Sequence, residues 1–564
     1  MKRKKINFGR LFLLMLICVL SLILLVFVML KISDAIHPMR YIAYEEAMME
    51  VSVPYKQDGE IAEKKFSIPR GTKVSIREKG DKKTLVRYDG EEFYVENKYL
   101  VDSLEECVKV DYIYPRRLVN LREKKNGALS NKTVEKGEKV KVVEVSVEDL
   151  DTETGVVNWY KVKKGSKQYW INGMYVETSE KLATQNYAET IEYSTYWDAY
   201  YGAGYSKEAY FNQIDYKPIE KKRYEDNELV ENINSVHVSL EILLNNKDYY
   251  LNLNNETSIN SLVVELKGDE GYIWYQSDVV KKYYDDISEV QGYVLCSKEE
   301  LANVFKEFQD DGFYMIARIV TFKDGVFALA HPSEALTDTN GTPVLHNNEY
   351  WPSAYSRKAW MYNVDLAKEI ATCNVNEIQF DYVRFPDGTL YDTMDGILDF
   401  HNTYEESKVS ALQGFLMYAR EELEPLEVYI AADIFAWPVV AEDDQDIGQF
   451  LPAIANVVDV ISPMPYTDHF SKGAMNIPDP TAEPEKTLYE FSMRTKRQLN
   501  KFESNCIYRT WIQGYGYFSA DDMIAQIQGI NKAGYQGYMV WFGNGEPGNL
   551  EINKAGYIDS KLDD

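Results

Sequence analysis

Apolar segments of strand length recur along the chain from about residue 231. Turn residues separate them, and between them the apolar spacing changes to that of helices, which is how strands alternating with helices look in a sequence. With Val236–Val238 as the opening strand, the series continues with Ser261–Leu266, Phe313–Val320, Glu377–Val383, Val428–Ile434, Val458–Met464, Ile507–Ile512 and Gly537–Phe542. Eight strands are therefore predicted in this part of the chain.

Amphipathic helices are predicted between these strands. Ser297 and Glu300 have the spacing of a capping box, which marks the start of a helix, and Gly312 is placed to end it. Ser356 can cap a second helix. Strands that alternate with helices predict an α/β fold with a parallel sheet, and eight such units predict a (β/α)8 TIM barrel over residues 231–550.

A doubly wound parallel sheet is the alternative architecture. It would be favoured by a glycine-rich phosphate loop after the first strand, and the sequence has none there. The one GxGxxG pattern, Gly543–Gly548, follows the last predicted strand and is interpreted as a turn. The barrel is therefore the favoured architecture.

The N-terminus contains an apolar run without a charge, Leu11–Leu30. As a helix it is about 30 Å long, which matches a bilayer core, and basic residues precede it. The sequence predicts a cytoplasmic basic tail (residues 1–10), an uncleaved transmembrane anchor (11–30) and all later domains outside the cell. A cleaved signal peptide is the alternative, although it would have a shorter apolar run and a small-residue cleavage site.

Two similar segments follow the predicted anchor. Ser67–Ile76 and Thr133–Val142 each place a turn glycine before a short alternating strand. Further strands, with aromatic residues and glycines, follow in both copies. The pattern resembles tandem bacterial SH3-like domains, which implies two small antiparallel barrels at residues 50–102 and 110–178. The resemblance implies either binding of cell-wall glycan or a structural spacer. A tyrosine-rich stretch, residues 181–230, is predicted to be a packed connector.

Composition narrows the classes of function. The formal net charge is −27, and nucleic-acid binding requires a basic surface, so nucleic acid is excluded as a partner. The 44 tyrosines suit carbohydrate binding, and a tyrosine-rich core would explain them equally well. The cysteines form no CxxC pair and the six histidines have no metal-ligand spacing, so we expect neither a metal nor a cofactor.

Polar side chains cluster where the predicted strands end. In a barrel, the carboxyl ends of the strands meet at one face, which is where catalysis occurs. The residues concerned are Glu265, Asp269, Arg318, Gln379, Asp381, Arg384, Asp433, Tyr466, His469, Gln513 and Trp541. Carboxyl groups with arginines and aromatic rings are what cleavage of a glycosidic bond requires. Each one alone could instead cap a helix or pair with an arginine, but Asp381 lies within an otherwise apolar strand.

Asn376–Gly388, read as NEIQFDYVRFPDG, resembles the signature of a bacterial glycosyl hydrolase domain family whose barrels are similar to those of alpha-amylase-type enzymes. Ala317–Asp324, Tyr355–Trp360 and Ile461–Tyr466 fit the same family, and the resemblance covers roughly residues 231 to 550. It implies that Asp381 occupies the nucleophile or base position on the fourth strand. Asp433 then occupies the strand-five position.

These observations predict a membrane-anchored, extracellular glycoside hydrolase that acts on a cell-wall or extracellular polysaccharide, such as a peptidoglycan-type glycan. Asp381 is the main catalytic candidate, Asp433 the candidate general acid and Glu265 its alternative; Arg318 is the expected partner of Asp381. The candidate substrate-binding residues are Arg318, Gln379, Arg384, Asp269, Tyr466, His469, Gln513 and Trp541. The competing hypothesis is a catalytically inactive carbohydrate-binding or cell-wall scaffold protein with the same barrel.

Overall fold

The computed structural model describes residues 38–557, except 45, 58–59, 186–212 and 292. These residues belong to two compact units. The first unit takes in residues up to Pro115 together with Leu121–Gly127 and Gly137–Ala183, and the second takes in Arg116–Asn120, Ala128–Lys136 and the chain from Thr184 onward. The predicted connector at 181–230 lies largely outside the described residues.

Antiparallel sheets build the first unit. One sheet has the strand order Glu91–Glu96, Lys83–Tyr88, Lys73–Glu78, Met39–Ile42 and Leu100–Val101, and Met48–Gln57 pairs with Glu60–Pro69 beside it. Alternation of side chains buries one face, where Val74, Val86, Phe93 and Val95 form a core with Ile42. The sheet thus begins with a strand N-terminal to the start predicted at residue 50.

The later strands of the first unit repeat this antiparallel pattern. They are Tyr112–Pro115, Val140–Val145, Trp159–Lys164, Lys167–Asn172 and Val176–Glu177, and Val119–Arg122 and Leu129–Val134 are the remaining strands of this region. Helices Leu104–Val108 and Glu180–Ala183 are short. The N-terminal sheets are barrel-like, as predicted; that they are SH3-like domains with the predicted boundaries stays a prediction.

A parallel barrel forms the second unit. Within the described residues, nine strands form one sheet in the order Ile507–Tyr508, Val460–Met464, Tyr429–Phe435, Glu377–Asp381, Tyr314–Val320, Ser261–Lys267, Asn234–Ser239, Tyr538–Trp541 and Thr510–Gln513. The two edge strands are consecutive in the sequence, separated by Arg509, so the sheet nearly closes on itself. The predicted α/β barrel is confirmed in this form, and an open doubly wound sheet is wrong.

Helices lie between the barrel strands. They are Leu240–Asn245, Lys247–Leu251, Leu253–Glu256, Val280–Tyr283, Lys298–Asp310, Gly325–Ala330, Arg357–Ala371, Leu390–Met394, Lys408–Leu423, Ala436–Ala441, Leu451–Ala455, Pro484–Lys501, Ala520–Lys532 and Pro547–Leu550. The capping box of Ser297 and Glu300 is present, and Ser356 accepts a hydrogen bond from the backbone N–H of Ala359. Strands Thr337–Asp338 and Leu398–Asp399 form a separate small pair.

Ile507–Tyr508 and Thr510–Gln513 are the two halves of the predicted seventh strand, which is interrupted at Arg509. The nine strands therefore correspond to the eight predicted ones. The guanidinium of Arg509 is fully buried and donates from Nη1 to both carboxylate oxygens of Glu377, each at 2.9 Å. The hydroxyl of Tyr314 donates to Oε2 of the same carboxylate at 3.0 Å. This buried ion pair joins the fourth and seventh strands inside the barrel near the amino end of strand four.

The predicted membrane location is corrected. Among the described residues, no helix is long and apolar enough to cross a membrane. The longest helix there, Pro484–Lys501, carries charged residues along its length, whereas a spanning helix needs about 20 predominantly apolar residues. The predicted anchor at 11–30 lies outside the described residues. A single-pass membrane protein with extracellular domains is therefore not supported.

Candidate active site at the carboxyl end of the barrel

Strand register places the predicted acidic residues next to one another. Glu265 on the second strand pairs with Arg318 on the third, and two residues later Val320 pairs with Asp381, the last residue of the fourth strand. Asp433 lies near the end of the adjacent fifth strand. The carboxyl ends of parallel strands meet at one face of a barrel, so these side chains surround one point.

Arg318 is the central cation of the site. Its Nε and Nη2 donate to Oδ2 of Asp381 at 3.0 and 2.6 Å, and its Nη1 donates to Oε2 of Glu265. Oδ1 of Asp269 lies 3.7 Å from Nη2. Burial by itself would lower the pKa of Arg318, but the charges of Asp381, Glu265 and Asp269 outweigh it and the pKa is raised. Arg318 is therefore a permanent cation shared by several carboxylates.

Asp381 accepts N–H donors on both oxygens. Besides the two bonds from Arg318 to Oδ2, its Oδ1 accepts the backbone N–H of Tyr382 at 2.5 Å. Tyr382 has a positive φ of 49°, which ends the strand at Asp381 rather than at the predicted Val383. The residue is buried, at 6% exposure. Donors on both oxygens suit an ionised carboxylate.

The carboxyl group of Asp433 has fewer hydrogen-bond donors around it than that of Asp381. It is fully buried, its Oδ1 accepts the indole N–H of Trp511 at 2.8 Å, and its Oδ2 has no hydrogen-bond partner among the described residues. Burial raises the pKa of Asp433 well above the usual range, and the nearby charge of Asp381 adds to the effect. Asp433 is therefore a neutral carboxylic acid.

Glu265 faces His237, a residue of the first strand. Nδ1 of His237 donates to the backbone oxygen of Gly543 at 2.8 Å, and its Nε2 lies 3.8 Å from Oε2 of Glu265. Burial would raise the pKa of Glu265, but His237 and Arg318 outweigh it and the pKa is lowered. Glu265 is therefore ionised, and it suits the role of an acceptor better than that of an acid.

Aromatic rings line one side of this cluster. Trp541 ends the eighth strand, packs at a tilt of 35° against His237 with ring centroids 4.2 Å apart, and lies beneath the guanidinium of Arg318 at 5.4 Å. Trp511 meets Trp541 edge-on at 6.0 Å. Tyr466 follows the sixth strand and is nearly buried. Aromatic walls with a few polar groups are typical of small-molecule and sugar pockets.

Asp269 belongs to a second ionic group beside the first. Lys323, just after the third strand, places its Nζ 2.8 Å from Oδ2 of Asp269 and 3.5 Å from Oε1 of Glu349. The same ammonium lies 5.0 Å from the ring centre of Tyr382. Asp269 also approaches Arg318, so the two ionic groups are continuous.

Two candidate residues make their hydrogen-bond contacts outside the acidic cluster. Gln379 is fully buried in the barrel, two residues before Asp381, and its Nε2 approaches the sulfur of Met539 at 3.3 Å. Oε1 of Gln513 accepts a bond from the hydroxyl of Thr467 at 3.1 Å and thereby holds the loop after the sixth strand. Both side chains support the site from within the protein.

Arg384 and His469 lie at the edges of the site. Arg384 follows the fourth strand, and its guanidinium is enclosed by the rings of Trp351, Tyr382 and Phe435 at 4.9, 5.2 and 4.4 Å. Burial lowers its pKa. His469 is the outermost candidate, with a side chain 61% exposed, and it contacts the ring of Tyr466 at 5.3 Å.

In the described part of the chain, no group of three or more His, Cys, Asp or Glu side chains is arranged to hold a metal ion.

A family model described as "putative glycosyl hydrolase domain" matches residues 235–546, more than half of the 564 residues. The chain belongs to this family. Every residue of the cluster described above lies within the matched range, so the cluster is part of the family domain.

The solved structures to which this chain is similar include several glycoside hydrolases. A hypothetical protein from Ruminiclostridium thermocellum is 30% identical over 35% of this chain and 96% of its own, with a TM-score of 0.29. The glycoside hydrolase domain of PgaB (BpsB) from Bordetella bronchiseptica is 13% identical over 58% and 99%, with a TM-score of 0.42. The maltogenic alpha-amylase AmyB from Thermotoga neapolitana is 13% identical over 57% and 69%, with a TM-score of 0.36. No curated protein matches the sequence.

Two residues of the family domain were missed by sequence reasoning. His237 interrupts an apolar strand in the same way as Asp381 does, and that signal could have marked it as a candidate. Trp511 carried no signal, because an aromatic residue in a barrel strand is ordinary core material. Its contact with Asp433 depends on the pairing of the seventh strand.

Proposed function

We propose that the family domain of this protein hydrolyses glycosidic bonds of a polysaccharide, with Asp381 and Asp433 as the catalytic carboxyl pair. One observation carries the proposal: two neighbouring carboxyl groups have environments that separate their protonation states. Arg318 and the backbone of Tyr382 hold Asp381 as an acceptor of N–H bonds, whereas burial keeps Asp433 protonated. Two carboxyl groups with separated pKa values are the requirement for acid-assisted glycoside cleavage.

The proposed roles follow from these states. Asp433 donates its proton to the glycosidic oxygen as the bond to the anomeric carbon breaks, so that the leaving sugar departs as a neutral alcohol. Asp381 either attacks the anomeric carbon or removes a proton from the attacking water. Glu265, ionised beside His237, is positioned to accept hydrogen bonds from substrate hydroxyls and to hold Arg318 in place. Trp541 provides an apolar surface for a sugar ring.

Release of reducing sugar by the purified full-length chain tests the proposal. The substrates are a panel of peptidoglycan-type and other polysaccharides, and Asp381→Asn is measured beside the wild type. Asp310→Asn, a change of the same kind on the exposed helix Lys298–Asp310, is the matched control. We expect turnover by the wild type and by the control, and none by Asp381→Asn. Binding of a glycan without turnover by the wild type would instead favour the carbohydrate-binding hypothesis.

A further inference from the structure

The groups around Asp381 carry more negative than positive charge. Four ionisable carboxylates are joined there by two cations: Glu265, Asp269, Glu349 and Asp381 with Arg318 and Lys323. With Asp433 protonated, two positive and four negative charges leave a net charge of −2 at the site. Arg318 and Asp381 are buried, and burial strengthens the effect of their charges because the effective dielectric constant is lower there than in bulk water.

Both cations already form ion pairs with carboxylates. The side chain of Arg318 is only 3% exposed, and its Nε, Nη1 and Nη2 donate to Asp381 and Glu265. The side chain of Lys323 is 15% exposed, and its ammonium contacts Asp269 and Glu349. Neither cation can bind an anionic group of a ligand without leaving a carboxylate uncompensated, which is costly in a buried site.

Two neighbouring cations of the same barrel face, Arg384 and Lys472, are paired with carboxylates as well. Nη1 of Arg384 lies 3.5 Å from Oδ1 of Asp387, with aromatic rings around the guanidinium. Lys472, on the loop after the sixth strand, lies 2.7 Å from Oδ2 of Asp479. These basic side chains therefore add no unpaired positive charge to the site.

We infer that the sugar bound beside Asp381 carries no negative charge: the site accepts neutral or amine-bearing sugars and rejects those with carboxylate, sulfate or phosphate groups. The inference rests on the proposed function, since it assumes that the cluster binds a glycan. An anionic group would meet the carboxylates of Asp381 and Asp269 without a free counter-ion, and such repulsion gives specificity against the wrong ligand. An ammonium group would be attracted by the same charges.

Binding to a glycan array tests this inference. The probe is the full-length Asp433→Asn protein, in which a neutral amide replaces a neutral acid, so turnover is slowed while the charge of the site is kept. The array contains neutral chito-oligosaccharides, their de-N-acetylated cationic forms and anionic oligogalacturonates, with further neutral and anionic glycans of other linkages. We expect the bound members to be neutral or cationic, and cationic members to bind more tightly as the salt concentration falls.

A second variant tests the cause of the selectivity. Asp269→Asn with Glu349→Gln removes two charges and frees Lys323, so this protein should bind anionic members at least about tenfold more tightly than before. Glu307→Gln with Asp310→Asn is the control. It removes the same charge from the exposed face of the helix Lys298–Asp310 and should leave the binding of anionic glycans unchanged. Both pairs are made in the Asp433→Asn background.

The outcomes separate the inference from the function on which it rests. Preferential binding of anionic glycans by the Asp433→Asn protein would overturn the inference and leave the proposed function standing. The inference would also be overturned if the variant Asp269→Asn with Glu349→Gln discriminated against anionic glycans as strongly as before. Binding of no glycan by a folded protein would overturn both.

Discussion

Trp511 donates its indole N–H to Oδ1 of Asp433 over 2.8 Å. Because Oδ1 accepts this bond, the proton of the neutral acid is placed on Oδ2, the oxygen that has no partner among the described residues. An acid whose proton is unshared can donate it to a substrate oxygen that reaches Oδ2, an atom that is buried in this structure. The pair links the fifth and seventh strands of the barrel.

Asp433→Asn should lower the turnover of a natural glycoside by about 10²–10⁴-fold, because general acid catalysis contributes that much. The amide is nearly isosteric and can still accept the bond from Trp511, so the fold should be kept. Reducing-sugar assays measure the loss. Aryl glycosides with an acidic phenol as leaving group need less protonation and should lose much less. An equal loss on both substrates would argue against Asp433 as the acid.

Asp381→Asn should abolish turnover, with a loss of at least about a thousandfold, while the protein stays folded. Arg318 keeps Glu265 and Asp269 as counter-charges, so the substitution does not leave its guanidinium unpaired. Circular dichroism and thermal unfolding check the fold beside the activity assay. Wild-type turnover by a folded Asp381→Asn protein would refute the assignment.

Trp511→Phe should move the basic limb of the pH–rate profile to higher pH. The indole N–H stabilises the ionised form of Asp433, so its removal raises the pKa of that carboxyl further. The maximal rate should fall, since the proton is no longer confined to Oδ2. Trp541→Phe is the control: it alters stacking with His237 and should weaken substrate binding without moving the limb. A limb that moves equally in both variants would contradict the assigned role.

Asp433 should make the protein less stable as the pH rises. Its pKa is higher in the folded state than the value of about 3.9 in an unfolded chain. Between these two values the folded state binds the extra proton, so the free energy of unfolding falls by up to about 1.4 kcal/mol per pH unit. Asp433→Asn should remove this slope and be the more stable protein at neutral pH. Urea unfolding at several pH values measures it, and parallel slopes for the two proteins would refute the prediction.

The buried pair of Glu377 and Arg509 should be needed for barrel closure. Glu377→Gln leaves the guanidinium of Arg509 without its counter-ion and should lower the free energy of unfolding by about 3–5 kcal/mol. Replacing both residues, with Glu377→Leu and Arg509→Met, should recover much of that loss. Denaturant unfolding provides the measurement. A double variant as unstable as Glu377→Gln would indicate a packing role rather than a charge role.

Local patterns predicted most of the barrel. Each barrel strand corresponds to an apolar segment of the sequence, and the helix that starts at Ser297 begins with the expected capping box. The predicted strand boundaries are wrong where the backbone conformation does not follow from the pattern of apolar side chains. The fourth strand ends at Asp381, because Tyr382 adopts a positive φ, and the seventh strand breaks at Arg509, whose charge is drawn into the barrel by Glu377.

The candidate site was predicted in part. Asp381 was conspicuous as a carboxylate within an apolar strand, and strand-end positions marked Glu265, Arg318 and Asp433. Gln379 and Gln513 satisfied the same rule, yet their amide groups contact Met539 and Thr467 rather than the acidic cluster. A strand end alone does not distinguish a side chain that faces the cleft from one that supports it.

By itself, the sequence determined which residues could carry the chemistry: the order of strands and helices, the carboxylates at the strand ends, and a family signature around Asp381. Only the tertiary structure decided what state those residues are in. Asp381 and Asp433 are chemically identical side chains, and they differ because Arg318, from a neighbouring strand, pairs with Asp381, whereas Asp433 is fully buried within the barrel. Burial and charge act through space, so the protonation of each carboxyl depends on neighbours that are distant along the chain.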